Sequence, residues 1–122
     1  MAAVPAELQG KLRQLSDEYT KLQQEQQKLI VSQQRLNAQK TENEGVKKEF
    51  EKLKDGETIY KLVGPVLLKQ ERFEADSTVK GRLDFIDKEI GRLEDEIKES
   101  NTKIDAIKDQ IMATQSSAQP AQ

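Results

Sequence analysis

The side chains that most often carry acid–base catalysis and bind metals are absent from this sequence. Its 122 residues include neither histidine nor cysteine, which removes the commonest general base, the commonest metal ligands and any disulfide. Four serines have no base near them in a recognisable arrangement: Ser16, Ser32, Ser77 and Ser100. The sequence therefore predicts no nucleophilic catalysis, no metal site and no bound cofactor.

Carboxylates are plentiful, but their spacing is typical of a solvated helix surface. The chain has 22 acidic and 20 basic side chains and a formal net charge of −2. Acidic residues alternate with Lys and Arg, as in Asp87-Lys88-Glu89, and Glu94-Asp95-Glu96 belongs to the same helical charge pattern. Carboxylates arranged in this way face water rather than one another. We expect the protein not to be an enzyme.

Interspersed charge also argues against nucleic acid and membranes as partners. Both attract blocks or stripes of basic residues, and the sequence has no such block. No apolar run is long enough to span a bilayer, and the residues Met1–Pro5 do not begin a signal peptide. We expect a cytoplasmic protein with one domain.

The first half of the chain carries a coiled-coil heptad. Leucines recur every seven residues, with Leu12 and Tyr19 at the alternate spacing between them: Leu8, Leu15, Leu22, Leu29 and Leu36. An apolar residue at every seventh position, with a second at the three-four offset, forms the seam of a coiled coil. Pro5 suits the first turn of a helix and Gly56 suits its stop. The sequence predicts a helix over residues 5–55.

A short strand-like run follows and is interrupted by Gly64-Pro65, a pair that favours a turn. Two apolar runs on either side of a turn indicate a β-hairpin, which we place at residues 57–71. Its apolar residues fall on both faces, and two strands alone are marginally stable in water. Packing against the chain's own helices is one possible use of them. We expect instead that they form a subunit-assembly surface: Ile59, Tyr60, Leu62, Val63, Val66, Leu67 and Leu68.

A second heptad fills the rest of the chain. The first set of seam positions is Leu83, Ile90, Ile97, Ile104 and Ile111, and the second is Val79, Ile86, Leu93, Ser100, Ile107 and Thr114. Asp76, Ser77 and Thr78 are all plausible caps for the start of this helix. The sequence predicts a helix over 76–114 and a disordered tail over 115–122, where the period is lost.

A hairpin between two heptad helices requires the helices to run antiparallel. If Leu53 meets Phe73 beside the hairpin, one offset matches almost every apolar layer: Leu36 with Ile90, Leu29 with Ile97, Leu22 with Ile104, Tyr19 with Ile107 and Leu15 with Ile111. The same offset places Gln26 opposite Ser100 and Lys40 opposite Ile86. Agreement at so many layers supports the fold more strongly than either heptad alone.

Matching fails at the free end, where Leu8, Leu12 and Met112 have no adequate apolar partner. Ordinary fraying of a terminal heptad is one interpretation. The other is an apolar contact surface for variable partners, since Leu and Met side chains adapt to different shapes. We predict that this tip comprises Leu8, Leu12, Leu15, Ile107, Ile111 and Met112.

The hairpin string "IYKLVGPVLLKQE" is fairly specific, and it lies between "KTENEGVKKEF" and "VKGRLDFIDKEI". With these flanks the chain resembles the beta class of the prefoldin family from about Leu8 to Met112. The resemblance implies a mainly α fold, with a long antiparallel two-helix coiled coil and a single hairpin that assembles into an intersubunit β-barrel.

The resemblance also implies partners and a function. Prefoldins are cytosolic, ATP-independent co-chaperones in which alpha- and beta-class subunits form a hetero-hexamer. Their coiled-coil tips hold unfolded clients, notably actin and tubulin, for delivery to the group II chaperonin. Two alternatives remain at this point: a structural or tethering coiled coil that captures no client, and a nucleic-acid-binding helical arm, which the charge pattern disfavours.

Overall fold

Two long helices flank a two-stranded antiparallel hairpin. The computed structural model describes residues 4–118. Helix α1 spans Ala6–Glu51, strand β1 Ile59–Val63, strand β2 Val66–Gln70 and helix α2 Arg72–Ala118. The predicted mainly α fold, with two long helices and a single hairpin, is confirmed.

The described residues form two compact units, each built from a segment of both helices. The first unit holds the described parts of Met1–Ser32 and Leu93–Gln122, and the second holds Gln33–Arg92, including the hairpin. Helix–helix packing supplies most of the stability of such units, because an isolated helix forms few contacts that exclude water.

In the first unit the two helix segments run antiparallel along the predicted seam. Leu15, Leu93 and Ile104 are buried. The Gln26 amide donates a hydrogen bond to the Asn101 side-chain oxygen. Nearer the chain ends, the Lys108 ammonium lies 5.9 Å from the centroid of the Tyr19 ring, within cation–π range. Ser100 and Thr114 are buried in the same seam.

The second unit repeats this arrangement beside the hairpin. Ala75, Val79 and Ile86 are buried. The Lys40 ammonium lies 2.8 Å from the Asp87 carboxylate. This ion pair explains how a lysine is tolerated at a seam position: its stem lies along the apolar seam while its charge reaches a carboxylate at the rim.

The predicted offset is confirmed to within one residue inside each unit. Gln26 contacts Asn101, the neighbour of its predicted partner Ser100. Lys40 contacts Asp87, the neighbour of Ile86. Side chains that flank a seam reach past the residue directly opposite, so a displacement of one residue is expected.

Helix α1 ends at Glu51 rather than at residue 55, so the predicted boundary is wrong. The Lys52 amide is shared between the carbonyls of Lys48 and Glu49, at 3.3 and 3.2 Å, and this bifurcation tightens the last turn. Gly56 has φ +88° and lies at the third position of a turn closed by the Glu57 amide and the Lys54 carbonyl. A positive φ at that position favours glycine. Gly56 therefore reverses the chain after the helix rather than ending it.

Helix α2 begins at Arg72, four residues before the predicted start at 76. The candidate caps act inside the helix instead. The Thr78 hydroxyl donates to the Glu74 carbonyl at 2.9 Å, and the Asp76 carboxylate lies 3.9 Å from the Arg72 guanidinium. The carbonyl of Glu71 accepts the first helical hydrogen bond, from the Ala75 amide.

The other end of helix α2 extends to Ala118, beyond the predicted 114. Within the predicted disordered tail, residues 115–118 are helical, and 119–122 lie outside the described residues. Nothing from 115 to 118 breaks a helix, because Gln, Ser and Ala all tolerate it. The Ser117 hydroxyl also donates to the Ala113 carbonyl at 3.0 Å.

The proposed layer between Leu53 and Phe73 does not form as predicted. Phe73 is 79% exposed, whereas Ala75, two residues later, is buried. The buried stripe of helix α2 continues back from Val79 to Ala75, four residues earlier, and not to Phe73. Small Ala75 allows close packing there, and the large Phe73 side chain faces solvent.

Candidate functional site

The hairpin turn is set by Gly64 and Pro65. Val63 pairs with Val66, so Gly64 and Pro65 alone form the loop. Gly64 has φ +59°, a value that L-residues with side chains rarely adopt. Proline cannot take a positive φ, which excludes a type I′ turn, where both central residues need one. The loop is therefore of type II′, whose twist matches that of the flanking strands.

Strand pairing fixes which side chains share a face. Leu62 lies opposite Leu67, and Tyr60 lies opposite Lys69. Because side chains alternate along a strand, these four residues lie on one face of the hairpin. The other face carries Ile59, Lys61, Val63, Val66, Leu68 and Gln70. Both faces are thus largely apolar, as the sequence predicted.

Most of these apolar side chains are open to solvent in the single chain. Leu62 is 69% exposed and Leu67 is 62% exposed. Tyr60, Val63, Val66 and Leu68 are exposed as well, and only Ile59 among the seven predicted assembly residues is half-buried. We call these seven residues the hairpin patch. Contiguous exposed apolar surface of this kind marks a protein-interaction site.

Unpaired backbone groups at the strand edges offer a second means of binding another chain. The sheet of the described residues has two strands, so each strand has one unpaired edge. Such an edge presents N–H and C=O groups that can pair with a further strand. Side chains and backbone therefore favour the same kind of contact, which is the addition of strands from another chain.

A groove at the base of the hairpin was not predicted. Its apolar walls include Val46, Phe50 and Val79, and its cationic walls are Lys61 and Arg82. One feature of the sequence could have indicated it: near the end of the first heptad the apolar stripe changes phase and continues through Val46, Phe50 and Leu53. The approach of that stripe to the hairpin depends on the turn at Gly56, which a periodicity cannot specify.

The six predicted tip residues lie in the first unit with unequal exposure. Leu15 is buried, at 6% exposure, and Met112 is 64% exposed. The other four are half-buried: Leu8, Leu12, Ile107 and Ile111. The packing of Leu15 stabilises the helix pair, and Met112 is the tip side chain most available to a partner.

Leu8 lies beside small and polar residues of helix α2. It lines a shallow groove with Ala113, Thr114 and Ser117 of helix α2. Helix α2 continues past residue 114, so Ser117 extends this wall where a disordered tail was predicted. Whether the tip binds unfolded clients stays a prediction.

Across residues 4–118, no three acidic side chains are placed to share a metal ion. Neither helix of that part of the chain is long and apolar enough to cross a membrane.

Two heptad helices joined by an exposed β-hairpin define a class of helical-hairpin proteins. A model of the prefoldin subunit family matches residues 13–118. Prefoldin subunit 6 of mouse (Mus musculus) is 37% identical over 115 residues, covering 94% of this chain and 91% of that protein. Prefoldin subunit 6 of Saccharomyces cerevisiae is 35% identical, covering 88% and 94%. The chain belongs to the prefoldin family.

Solved structures agree with this assignment. The prefoldin beta subunit from Thermococcus strain KS-1 superposes with a TM-score of 0.78 at 27% identity, covering 99% of this chain and 100% of that one. The beta2 subunit from the same source, at 22% identity and a TM-score of 0.65, shows the fold alone. The predicted resemblance to beta-class prefoldin is confirmed.

Membership gives the chain a chaperone-associated role in protein folding. It also implies assembly with other prefoldin subunits, since each relative is one subunit of that family.

Proposed function

We propose that this chain is an ATP-independent holdase subunit of a cytoplasmic hetero-hexamer of alpha- and beta-class prefoldin subunits. The hexamer captures unfolded clients such as actin and tubulin at its coiled-coil tips and delivers them to the group II chaperonin. The chain contributes by binding and holding, without catalysis. Its hairpin joins an intersubunit β-barrel.

The observation that carries this proposal is the exposure of the hairpin patch. Fully burying one Leu stabilises a structure by roughly 1.5–3 kcal/mol, so leaving Leu62 and Leu67 in water on a lone chain is costly. Addition of strands from neighbouring subunits covers these side chains and pairs both free edges. Six of the seven side chains of the hairpin patch remain exposed beside the chain's own helices.

The tip supports the client-binding part of the proposal. Met112 is exposed beside the half-buried Ile111 and Leu12. A flexible, polarizable methionine adapts to apolar surfaces of different shape, as a chaperone with many clients requires. Several tips acting together raise the apparent affinity without any single strong contact.

One experiment tests the proposal against a purely structural role. The complex is reconstituted with and without this chain, and light scattering follows the aggregation of denatured actin after dilution. We expect the complete complex to suppress aggregation in the absence of ATP. A complete, correctly sized complex that leaves aggregation unchanged would instead indicate a structural or tethering subunit.

A further inference from the structure

The two strands of the hairpin and their turn carry charge of one sign. Residues 59–70 include Lys61 and Lys69 but no Asp or Glu. Both lysines are exposed, and within the described part of the chain neither forms an ion pair. Charged residues at a strand edge are a known means of controlling which strands pair with it.

The position of Lys61 within β1 determines what a second copy would encounter. Strand β1 has five residues, Ile59–Val63, and Lys61 is the central one. Full-length antiparallel pairing of two β1 strands sets Ile59 against Val63, Tyr60 against Leu62, and Lys61 against Lys61. Like charges directly opposite destabilise a sheet, because their Cβ atoms lie only about 5 Å apart.

Other registers of β1–β1 pairing separate the two lysines only at a cost in strand pairing. A shift of one residue moves the side chains of one strand to the opposite face. A shift of two residues separates the lysines but keeps three of the five residue pairs of β1. The β1 edge therefore disfavours its own copy in its longest ladder.

The groove beside Lys61 has the same sign of charge. Its walls combine apolar Val46 and Phe50 with the cations Lys61 and Arg82, and no carboxylate lines it. Two cations on a half-apolar wall favour an anionic side chain from a partner strand.

We propose that the free edge of β1 selects a strand from a different prefoldin subunit, one that places an Asp or Glu beside Lys61, and rejects a second copy of this chain. This inference rests on the proposed assembly through the hairpin and adds the chemistry of the partner. Apolar contacts provide adhesion that any subunit could share, whereas the central lysine provides selectivity.

The absence of native cysteine allows a direct test, since introduced thiols are then the only ones. One chain carries Tyr60→Cys, and the other carries Leu62→Cys together with Lys61→Glu. These two thiols lie opposite each other only in the full-length β1–β1 ladder, and Tyr60 and Leu62 both lie on the face away from Lys61. The mixture is equilibrated in a glutathione redox buffer, and the mixed disulfide is quantified by mass spectrometry.

Two mixtures are compared. In the first, the Leu62→Cys chain also carries Lys61→Glu, and in the second both chains keep Lys61. We expect the first to give roughly 2- to 30-fold more mixed disulfide than the second. The ratio should fall towards one in 1 M salt, where charges are screened within about 3 Å. Lys69→Glu in place of Lys61→Glu is the matched control, because Lys69 lies on β2, and it should leave the yield near that of the unmodified pair. Equal yields from the two mixtures, or a larger yield with Lys61 on both chains, would overturn the proposal.

A second experiment distinguishes failure of this inference from failure of the proposed function. Full-length chains carrying Lys61→Glu, or both Leu62→Asp and Leu67→Asp, are co-expressed with the other prefoldin subunits. Normal assembly of the Leu62→Asp, Leu67→Asp chain would contradict hairpin-mediated assembly itself. Loss of assembly by that chain, with normal assembly of Lys61→Glu, would overturn only the charge selectivity.

Discussion

The guanidinium of Arg72, the first residue of helix α2, donates a hydrogen bond to the carbonyl oxygen of Phe50 at 3.0 Å, one residue before the end of helix α1. A second, longer bond of 3.4 Å reaches the Leu53 carbonyl. The last carbonyls of a helix accept no hydrogen bond from its own i+4 amides, so the Arg72 side chain supplies a donor to Phe50 in the last turn of α1 and to Leu53 just after it. The two helix ends are thereby joined beside the hairpin they support.

Replacing Arg72 by Met should lower the free energy of unfolding by about 1 kcal/mol, the typical net value of such hydrogen bonds. Methionine keeps a long unbranched stem but has no donor. Urea denaturation followed by circular dichroism measures the change. Lys52→Met is the control, since the Lys52–Glu49 pair is a surface ion pair at 3.6 Å and should contribute less than about 0.5 kcal/mol. Equal midpoints for Arg72→Met and wild type would mean that the hydrogen bonds to the Phe50 and Leu53 carbonyls contribute nothing.

The heptads predicted the helices, and the register within each unit, because seam residues recur at a fixed period. They failed where packing does not depend on large side chains. Ala75 is buried, yet alanine carries no periodic signal, and Phe73 misled because an aromatic residue is usually expected inside. The start of helix α2 depends on Arg72 reaching carbonyls 19 and 22 residues away, which no local pattern encodes.

Some features of the candidate site could likewise be predicted from the sequence, and others could not. Turn chemistry and alternation predicted the hairpin patch, since a two-residue Gly-Pro loop fixes the strand register and hence both faces. The contrast between Leu15 and Met112 at the tip follows from the register, which pairs Leu15 with Ile111 and leaves Met112 without an apolar partner. The groove at Lys61 and Arg82 required the fold.

Ser100 is a polar residue buried in the seam of the first unit and lines a shallow groove with Leu22 and Leu29. Replacing it by Leu, the preferred residue at such positions, should raise the free energy of unfolding by about 1 kcal/mol through added apolar burial. Thermal unfolding measures the change. Ser32→Leu is the control, since Ser32 is exposed in the same unit, and it should shift stability by less than about 0.5 kcal/mol. A lower melting temperature for Ser100→Leu would show that the seam is too tightly packed to accept it.

Changing both Leu62 and Leu67 to Asp should leave the chain helical but unable to join a larger complex. The two residues lie directly opposite each other, and burying unpaired charge there costs several kcal/mol. Size-exclusion chromatography with partner subunits measures assembly, and circular dichroism measures helicity. Asp at two exposed positions outside the hairpin, Val31 and Phe85, is the matched control. Entry of the Leu62→Asp, Leu67→Asp chain into the complex at the wild-type level would exclude the hairpin as the assembly element.

Client protection should be constant between about pH 6 and 8 and unaffected by chelators. The chain has no histidine or cysteine, the side chains that change charge in or near this range. The described residues also hold no group of three acidic side chains placed for a metal. Aggregation of a denatured client, measured across this range with and without EDTA, checks both statements. Loss of protection on adding EDTA would show that carboxylates assigned to the solvated surface bind a metal.

The tip offers a contrast between one exposed and one buried apolar residue. Met112→Ser should weaken client capture several-fold and leave the melting temperature unchanged, because Met112 is mostly exposed and contributes little to the helix pair. An apolar side chain of this size contributes roughly 1.5–3 kcal/mol when fully buried, of which a client covers only part. Because several tips bind one client together, a weaker contact at this tip lowers the apparent affinity of the whole complex. Protection of denatured actin by the reconstituted complex is the measurement.

Leu15→Ser is the counterpart, since Leu15 is buried in the same unit. Its loss should lower the free energy of unfolding by about 2–5 kcal/mol, the range for removing a large apolar side chain from a core. Any effect on client capture should then accompany loss of the coiled coil, as circular dichroism at the assay temperature would show. Normal protection by the Met112→Ser complex would place the client-binding surface elsewhere on the complex. A Met112→Ser chain that melts as early as Leu15→Ser would show that Met112 supports the helix pair rather than the client.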